Sequence, residues 1–311
     1  MKVIKLANPR GFCAGVDRAI DIVSEAIERF GAPIYVRHEV VHNRKVVDDL
    51  KAKGAIFVQE LSEIPKGSIT IFSAHGVAEQ VELDAEFREL KYFDATCPLV
   101  SKVHKEVVRF AQSGKDIIMV GHENHPEVEG TLGRFPSGSS GEMYLVEDVS
   151  QAKTIIVNQP ENLCLVTQTT LSVSDTEEII KELRKRFPLM QEPKSEDICY
   201  ATQNRQDAVK QLALESEAII VVGSENSSNS NRLKELAEKS GSTSYLIDDP
   251  DQINSEMLHN ISSLGVTAGA SAPEELVQSI VKKCMTFGYE NLEELDGLKE
   301  NIFFKLPLEL R

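Results

Sequence analysis

Apolar positions along the chain alternate between two periods. Short runs dense in Val, Ile and Leu read as strands, and the stretches between them, apolar at every third or fourth position, read as helices. The pattern repeats. IYVRHEVVHN (34–43), DIIMVGHENHPE (116–127) and AIIVVGSENSSN (218–229) each read as a strand running into a polar cluster. IFVQELSEI, YLVEDVSQA and YLIDDPDQI each read as a strand entering an acidic turn. ITIFSAHGV, LCLVTQTTL and LGVTAGASAPEE supply a third strand with a polar end.

A cysteine opens each round of this pattern. GFCAGVDRAIDIV, ATCPLVSKVHKEVV and DICYATQNRQDAV each end a short segment and begin a helical stretch. Cys13 to His42 is 29 residues, while Cys97 to His125 and Cys199 to Ser227 are 28. Cys97 to Thr169 and Cys199 to Ser271 are both 72, and the compact first round has Cys13 to His75 at 62. Such a repeat is the mark of duplicated supersecondary units. It predicts an α/β chain of three pseudo-threefold related modules with mostly parallel sheets, over 1–96, 97–197 and 198–311. PSGSSGE (136–142) reads as a loop inserted in the second module. The last module carries a tail, LKENIFFKLPLELR, whose Phe303, Phe304 and Leu306 predict packing on the body.

Ligands of parallel sheets bind beyond the carboxyl ends of the strands. Those ends carry Cys13, His42 and His75, then Cys97, His125 and Thr169, then Cys199, Ser227 and Ser271. Modules arranged about a pseudo-threefold axis would bring all of them to one central site.

Composition narrows the chemistry. With 311 residues and a net charge of −15, the chain lacks the basic footprint of a general nucleic-acid binder, and it has no Trp. No run approaches a membrane span, and residues 1–20 lack a secretory apolar stretch, so a cytoplasmic protein is expected. Five scattered cysteines without a C-x-x-C exclude a zinc ribbon and make a disulfide framework a poor reading. Structural zinc takes four ligands. Three matched thiolates suit a [4Fe–4S] cluster instead, with one iron left open to a substrate oxygen. Each cysteine precedes a helix, whose first amides favour the thiolate. Cys164 and Cys284 have no repeat counterpart and read as packing residues.

The polar clusters suggest an anion. His42, His75 and His125 offer charge-assisted donors, and Ser227, Ser228, Asn229 and Ser271 offer neutral ones. SSNSN precedes a helix, a ready phosphate site. Glu127, two residues after His125, is the candidate proton donor; negative charge nearby is expected to raise its pKa. Glu129 competes for that role. His38, His104 and His259 have no matched place, and His122 is one step out of register.

Together RGFCAGVDRAI, SAHGV, DATCPLV, HPEVEG, TQTTLS, CYATQNRQ, GSENSSNSNRL and TAGASAPE resemble the 4-hydroxy-3-methylbut-2-enyl diphosphate reductase family, from about residue 3 to residue 284. The resemblance implies an oxygen-sensitive [4Fe–4S] cluster on Cys13, Cys97 and Cys199, one per chain, at the centre of a three-module trefoil. It implies a diphosphate held by His42, His75, His125, Ser227, Ser228, Asn229 and Ser271. Thr169 and Glu127 would act at the substrate hydroxyl, with Gln168 and Thr170 in support. The products would be isopentenyl and dimethylallyl diphosphate, and electrons would come from ferredoxin or flavodoxin, since no flavin or nicotinamide motif is evident. Two other readings exist. Three histidines with Glu127 could hold zinc for phosphoester hydrolysis, which leaves the matched cysteines idle. An iron–sulfur sensor of a phosphorylated ligand uses the cysteines but not Glu127 and Thr169.

Overall fold

The computed structural model describes residues 2–311. Among them, twelve strands form three sheets in which every pairing is parallel. The strands are β1 Val3–Leu6, β2 Ile34–Arg37, β3 Ala55–Val58, β4 Ile69–Phe72, β5 Lys91–Asp94, β6 Asp116–Val120, β7 Met143–Val146, β8 Leu163–Thr167, β9 Ala218–Val222, β10 Thr243–Ile247, β11 Ser263–Ala268 and β12 Asn291–Glu294. The helices are α1 Ala14–Phe30, α2 Arg44–Lys53, α3 Glu79–Phe87, α4 Pro98–Gln112, α5 Pro126–Leu132, α6 Val149–Thr154, α7 Val173–Arg186, α8 Tyr200–Ala213, α9 Ser228–Lys239 and α10 Glu274–Met285.

The nine strands predicted from the repeat are all present, and they recur in one order. The first strand of each round lies at the centre, flanked by the second and third: β3-β2-β4, β7-β6-β8 and β10-β9-β11. Each sheet also accepts the chain that leads into a cysteine. β5, just before Cys97, pairs with β4. Gln191, before Cys199, bridges in parallel to Cys164 of β8. β1, before Cys13, pairs with β11 and lies between it and β12. Val3–Leu6 therefore stands in the sheet of the C-terminal strands.

The described chain divides into two compact units. Residues 2–20, 41–53 and 200–305 make the first, with the five-stranded sheet; 21–40, 54–199 and 306–311 make the second, with the other two sheets. Alternation along β9 shows how the first core forms. Ile220 and Val222 face α10, packing with Val277 and Ile280, while Ile219 and Val221 face α8 and α9, packing with Val209 and Leu233. A strand covered on both faces must be apolar throughout, which is why AIIVV reads as an unbroken run. In the second unit β6 behaves alike: Ile117 and Met119 meet Val103 and Val107 of α4, and Ile118 and Val120 meet Ile179 and Leu183 of α7.

Cys164 and Cys284 are fully buried in these cores. In the tail, Leu310 is buried and Phe304 and Leu306 are half-buried, but Phe303 is 79% exposed, against the expectation of packing. No described helix is long and apolar enough to cross a membrane.

Candidate functional site

Cys13, Cys97 and Cys199 form no disulfide, and each is half-buried immediately before a helix: α1, α4 and α8. Their backbones are fixed the same way. The Cys13 amide donates to the Ala270 carbonyl at 3.3 Å, Cys97 to Ala74 at 3.0 Å and Cys199 to Thr169 at 3.0 Å. Each acceptor lies two residues past the end of a third strand, β11, β4 or β8. Burial raises the Cys13 thiol, opposed by the Arg205 guanidinium and the Val16 and Gly15 amides.

His42, His125 and Ser227 each lie five residues past the end of a first strand. Ser227 caps α9 through the Ser230 amide, and His125 caps α5 by accepting from the Glu127 amide on Nδ1 at 3.1 Å. A neutral His125 ring so bonded carries its proton on Nε2, as a donor. His42 Nδ1 meets the Asn226 side-chain nitrogen at 3.3 Å, which orients that ring the same way. The Ser271 hydroxyl donates to the His42 carbonyl at 2.9 Å. In the second unit His75 and His125 meet edge to face, with ring centres 5.8 Å apart.

Two residues further on, the repeat places Glu127 and Asn229 in matching positions. Glu127 Oε1 accepts from the Thr169 amide at 2.6 Å, and Asn229 Oδ1 accepts from the Ala270 amide at 2.8 Å. The two side chains make one backbone bond in two copies, but one titrates and the other does not. Glu127 is 3% exposed, and burial pushes its pKa up to about 7, against the two Thr169 hydrogen bonds; Asp197 raises it further. The second of those bonds comes from the Thr169 hydroxyl to Oε2 at 3.1 Å. The expected elevation is present, but its main cause is burial rather than neighbouring charge. Glu129 is exposed, so the competing carboxylate is in bulk solvent. Asn229 Nδ2 is buried with no hydrogen-bond partner among the described residues, a donor suited to an anion at the start of α9.

Close backbone approach shapes this region. A Cβ on Gly269 would sit 2.1 Å from Ser230 Oγ. Gly269→Ala is expected to displace the first turn of α9 and lower stability by about 1–3 kcal/mol, read as a fall in melting temperature.

The structure shifts one repeat equivalence by a residue. Thr169 matches Ala74 and Ala270 as the acceptor of a cysteine amide, so Thr170, not Thr169, stands opposite His75 and Ser271. Thr169 is buried against Glu127, while Thr170 is half-buried and accepts from Gln168 Nε2 at 3.0 Å. Gln168 in turn accepts the His122 amide on Oε1. Ser228 is half-buried in the first turn of α9.

Sequence reading missed several residues. Asp197, its side chain fully buried, accepts the Thr167 amide and pairs with Lys102 at 3.0 Å. A carboxylate two positions before Cys199 was its only signal. Asn43, fully buried beside His42, caps α2 through the Val46 amide. Arg205 is fully buried on α8, an arginine at the spacing of that helix's Ala201, Ala208, Val209 and Leu212.

Among the described residues no three His, Cys, Asp or Glu side chains are gathered to hold a single metal ion. A cubane spreads its thiolates over several irons. Three half-buried thiols outside any disulfide, each followed by helix amides, are a donor set that fits such a cluster.

The LytB protein family model matches residues 4–285. A curated protein of Chromohalobacter salexigens named 4-hydroxy-3-methylbut-2-enyl diphosphate reductase is 58% identical over 99% of this chain and 97% of its own length. A protein of the same name from Acinetobacter baylyi is 58% identical over 99% and 98%. The solved E-1-hydroxy-2-methyl-but-2-enyl-4-diphosphate reductase of Plasmodium falciparum superposes with a TM-score of 0.94 at 38% identity, covering 99% of this chain and 96% of that one. A family model over most of the chain and relatives aligned along its whole length lead to one conclusion: the chain belongs to the LytB protein family.

Proposed function

We propose that the chain removes the hydroxyl of 4-hydroxy-3-methylbut-2-enyl diphosphate by reduction, giving isopentenyl and dimethylallyl diphosphate, the last step of the methylerythritol phosphate route. The allylic C–O bond breaks, two electrons and two protons enter, a C–H bond forms and water leaves. The observation that carries this reading is Glu127, a buried carboxyl with a pKa near 7 bonded to Thr169. A carboxyl protonated at neutral pH is what a departing hydroxide needs.

Cys13, Cys97 and Cys199, opening three modules over 1–96, 97–197 and 198–311, would hold one [4Fe–4S] cluster. When bound, the cluster supplies the two electrons, drawn from an outside carrier such as ferredoxin or flavodoxin. The chain's own residues do the rest. His42, His75, His125, Ser227, Ser228, Asn229 and Ser271 bind and orient the diphosphate; the amides opening α9 offset its charge in a chain of net −15. Thr169, its hydroxyl on Glu127, passes the proton toward the substrate oxygen. Thr170, braced by Gln168, lines the same strand end.

The test is anaerobic purification with iron and acid-labile sulfide analysis, followed by turnover with a chemically reduced donor. Iron, sulfide and reductive turnover of the diphosphate are expected. Zinc without sulfide would mark a hydrolase, and a cluster without turnover would mark a sensor; either outcome overturns the proposal.

A further inference from the structure

Arg205 is fully buried, and every N–H of its guanidinium has an acceptor. Nε and Nη2 donate to the Gly11 carbonyl at 2.9 and 2.7 Å, and Nη2 also donates to the Phe12 carbonyl at 3.0 Å. These are the two carbonyls that precede Cys13. Nη1 donates to its own helix at Ala201. The remaining acceptor is the Glu300 carboxylate, at 3.0 Å from Nη1 and 3.2 Å from Nη2, which also accepts from Asn204 at 2.9 Å. Glu300 belongs to the segment that follows β12, and that segment lies hard against the chain leading to Cys13. The Leu295 amide donates to the Leu6 carbonyl, Glu294 pairs with Arg10, and a Cβ on Gly297 would stand 1.9 Å from the Asn8 carbonyl oxygen.

We propose that Arg205 and Glu300 are a positioning pair for Cys13: they fix the backbone before the thiol and set the charge behind it, which makes residues 291–300 part of the apparatus that holds the cluster. This rests on the reading of Cys13 as a cluster ligand. The planar guanidinium is suited to the task because its fixed fork spans four acceptors at once, which a lysine ammonium cannot do. Two carbonyls tied to the guanidinium hold the backbone fast just before the thiol. The pair also sets the local charge, with a guanidinium 3.0 Å from the Phe12 carbonyl and a carboxylate 3.0 Å from that guanidinium. Cluster potentials follow net charge, so the two members act on it with opposite sign.

The experiment compares Glu300→Gln, Arg205→Lys and Cys13→Ser in the full chain, reconstituted anaerobically, by iron and sulfide per chain and by redox titration followed by electron paramagnetic resonance. Glu300→Gln removes a negative charge and keeps an acceptor, so its midpoint potential is expected to rise. Arg205→Lys keeps the charge and loses the fork. Its cluster content is expected to fall several-fold, with the surviving clusters near the wild-type potential. A purely structural role would lower content in both variants and shift neither potential. Loss of iron in Cys13→Ser with an unshifted or lowered potential in Glu300→Gln overturns the pair; iron retained in Cys13→Ser overturns the ligand reading beneath it. Should Arg205→Lys fail to fold, Glu300→Gln still decides.

Discussion

Serine at Cys13, Cys97 or Cys199 is expected to bring bound iron close to zero and abolish reductive turnover, while Cys164→Ser keeps both. Three protein thiolates are the smallest set proposed for the cluster, and none is spare. Serine at these positions offers a hydroxyl that stays protonated, where iron takes a thiolate. The contrast with Cys164 follows from burial. Cys164 is fully buried in β8 among Ile117, Val166 and the α4 side chains, and burial raises its thiol further. A hydroxyl there costs about 1–3 kcal/mol if it finds no partner, so Cys164→Ser melts earlier yet retains iron. Iron and sulfide per folded chain, measured beside melting temperature, separate the two effects. Equal iron loss in all four variants would sink the assignment.

Of the nine repeat strands, β6, β8, β9 and β11 were the most legible, because they are buried almost throughout and therefore largely apolar. The sequence hid β1, β5 and β12 for the opposite reason. Each is four residues long, with charged positions such as Lys5, Lys91 and Glu293, and β1 finds its partners more than 250 residues away. Helix α5 was hidden too. It is seven residues long, too short to show a period, and its start at His125-Pro126 reads as a loop, although Pro is well placed in a first helical turn. That helix takes Glu127 out of solvent, which is why charge alone was an incomplete account of its pKa. Spacing placed His42, His125 and Ser227 in register because they follow strands directly. It slipped by one at Thr169, since a loop of unequal length separates Cys97 from β8. Arg205 was invisible because an arginine on an apolar stripe has no meaning until the carbonyls it meets, at Gly11 and Phe12, are brought to it by the fold.

Glu127→Gln is the other large expected effect, with turnover falling by about 10²–10⁴-fold while diphosphate binding is kept. Glutamine preserves the volume and an acceptor for the Thr169 amide but holds no proton to give. In the wild type the acid must be protonated to act, so the rate should fall as pH rises through about 7, the pKa to which burial pushes Glu127; the variant should lack that limb. Stability supplies an independent check with a definite sign. The native carboxyl titrates near 7 and its ordinary value is 4.5, so the native state keeps its proton after the unfolded chain has lost it. Stability therefore declines as pH rises from 4.5 to 7, by roughly 3 kcal/mol, and is level above. Glutamine mimics the protonated acid at every pH. Metal-free Glu127→Gln should match the wild type near pH 4.5 and melt several degrees higher at pH 8. Denaturant melts at the two pH values decide the matter. A variant no more stable than wild type at pH 8 would mean that folding does not raise the Glu127 pKa, and a different acid would have to be sought.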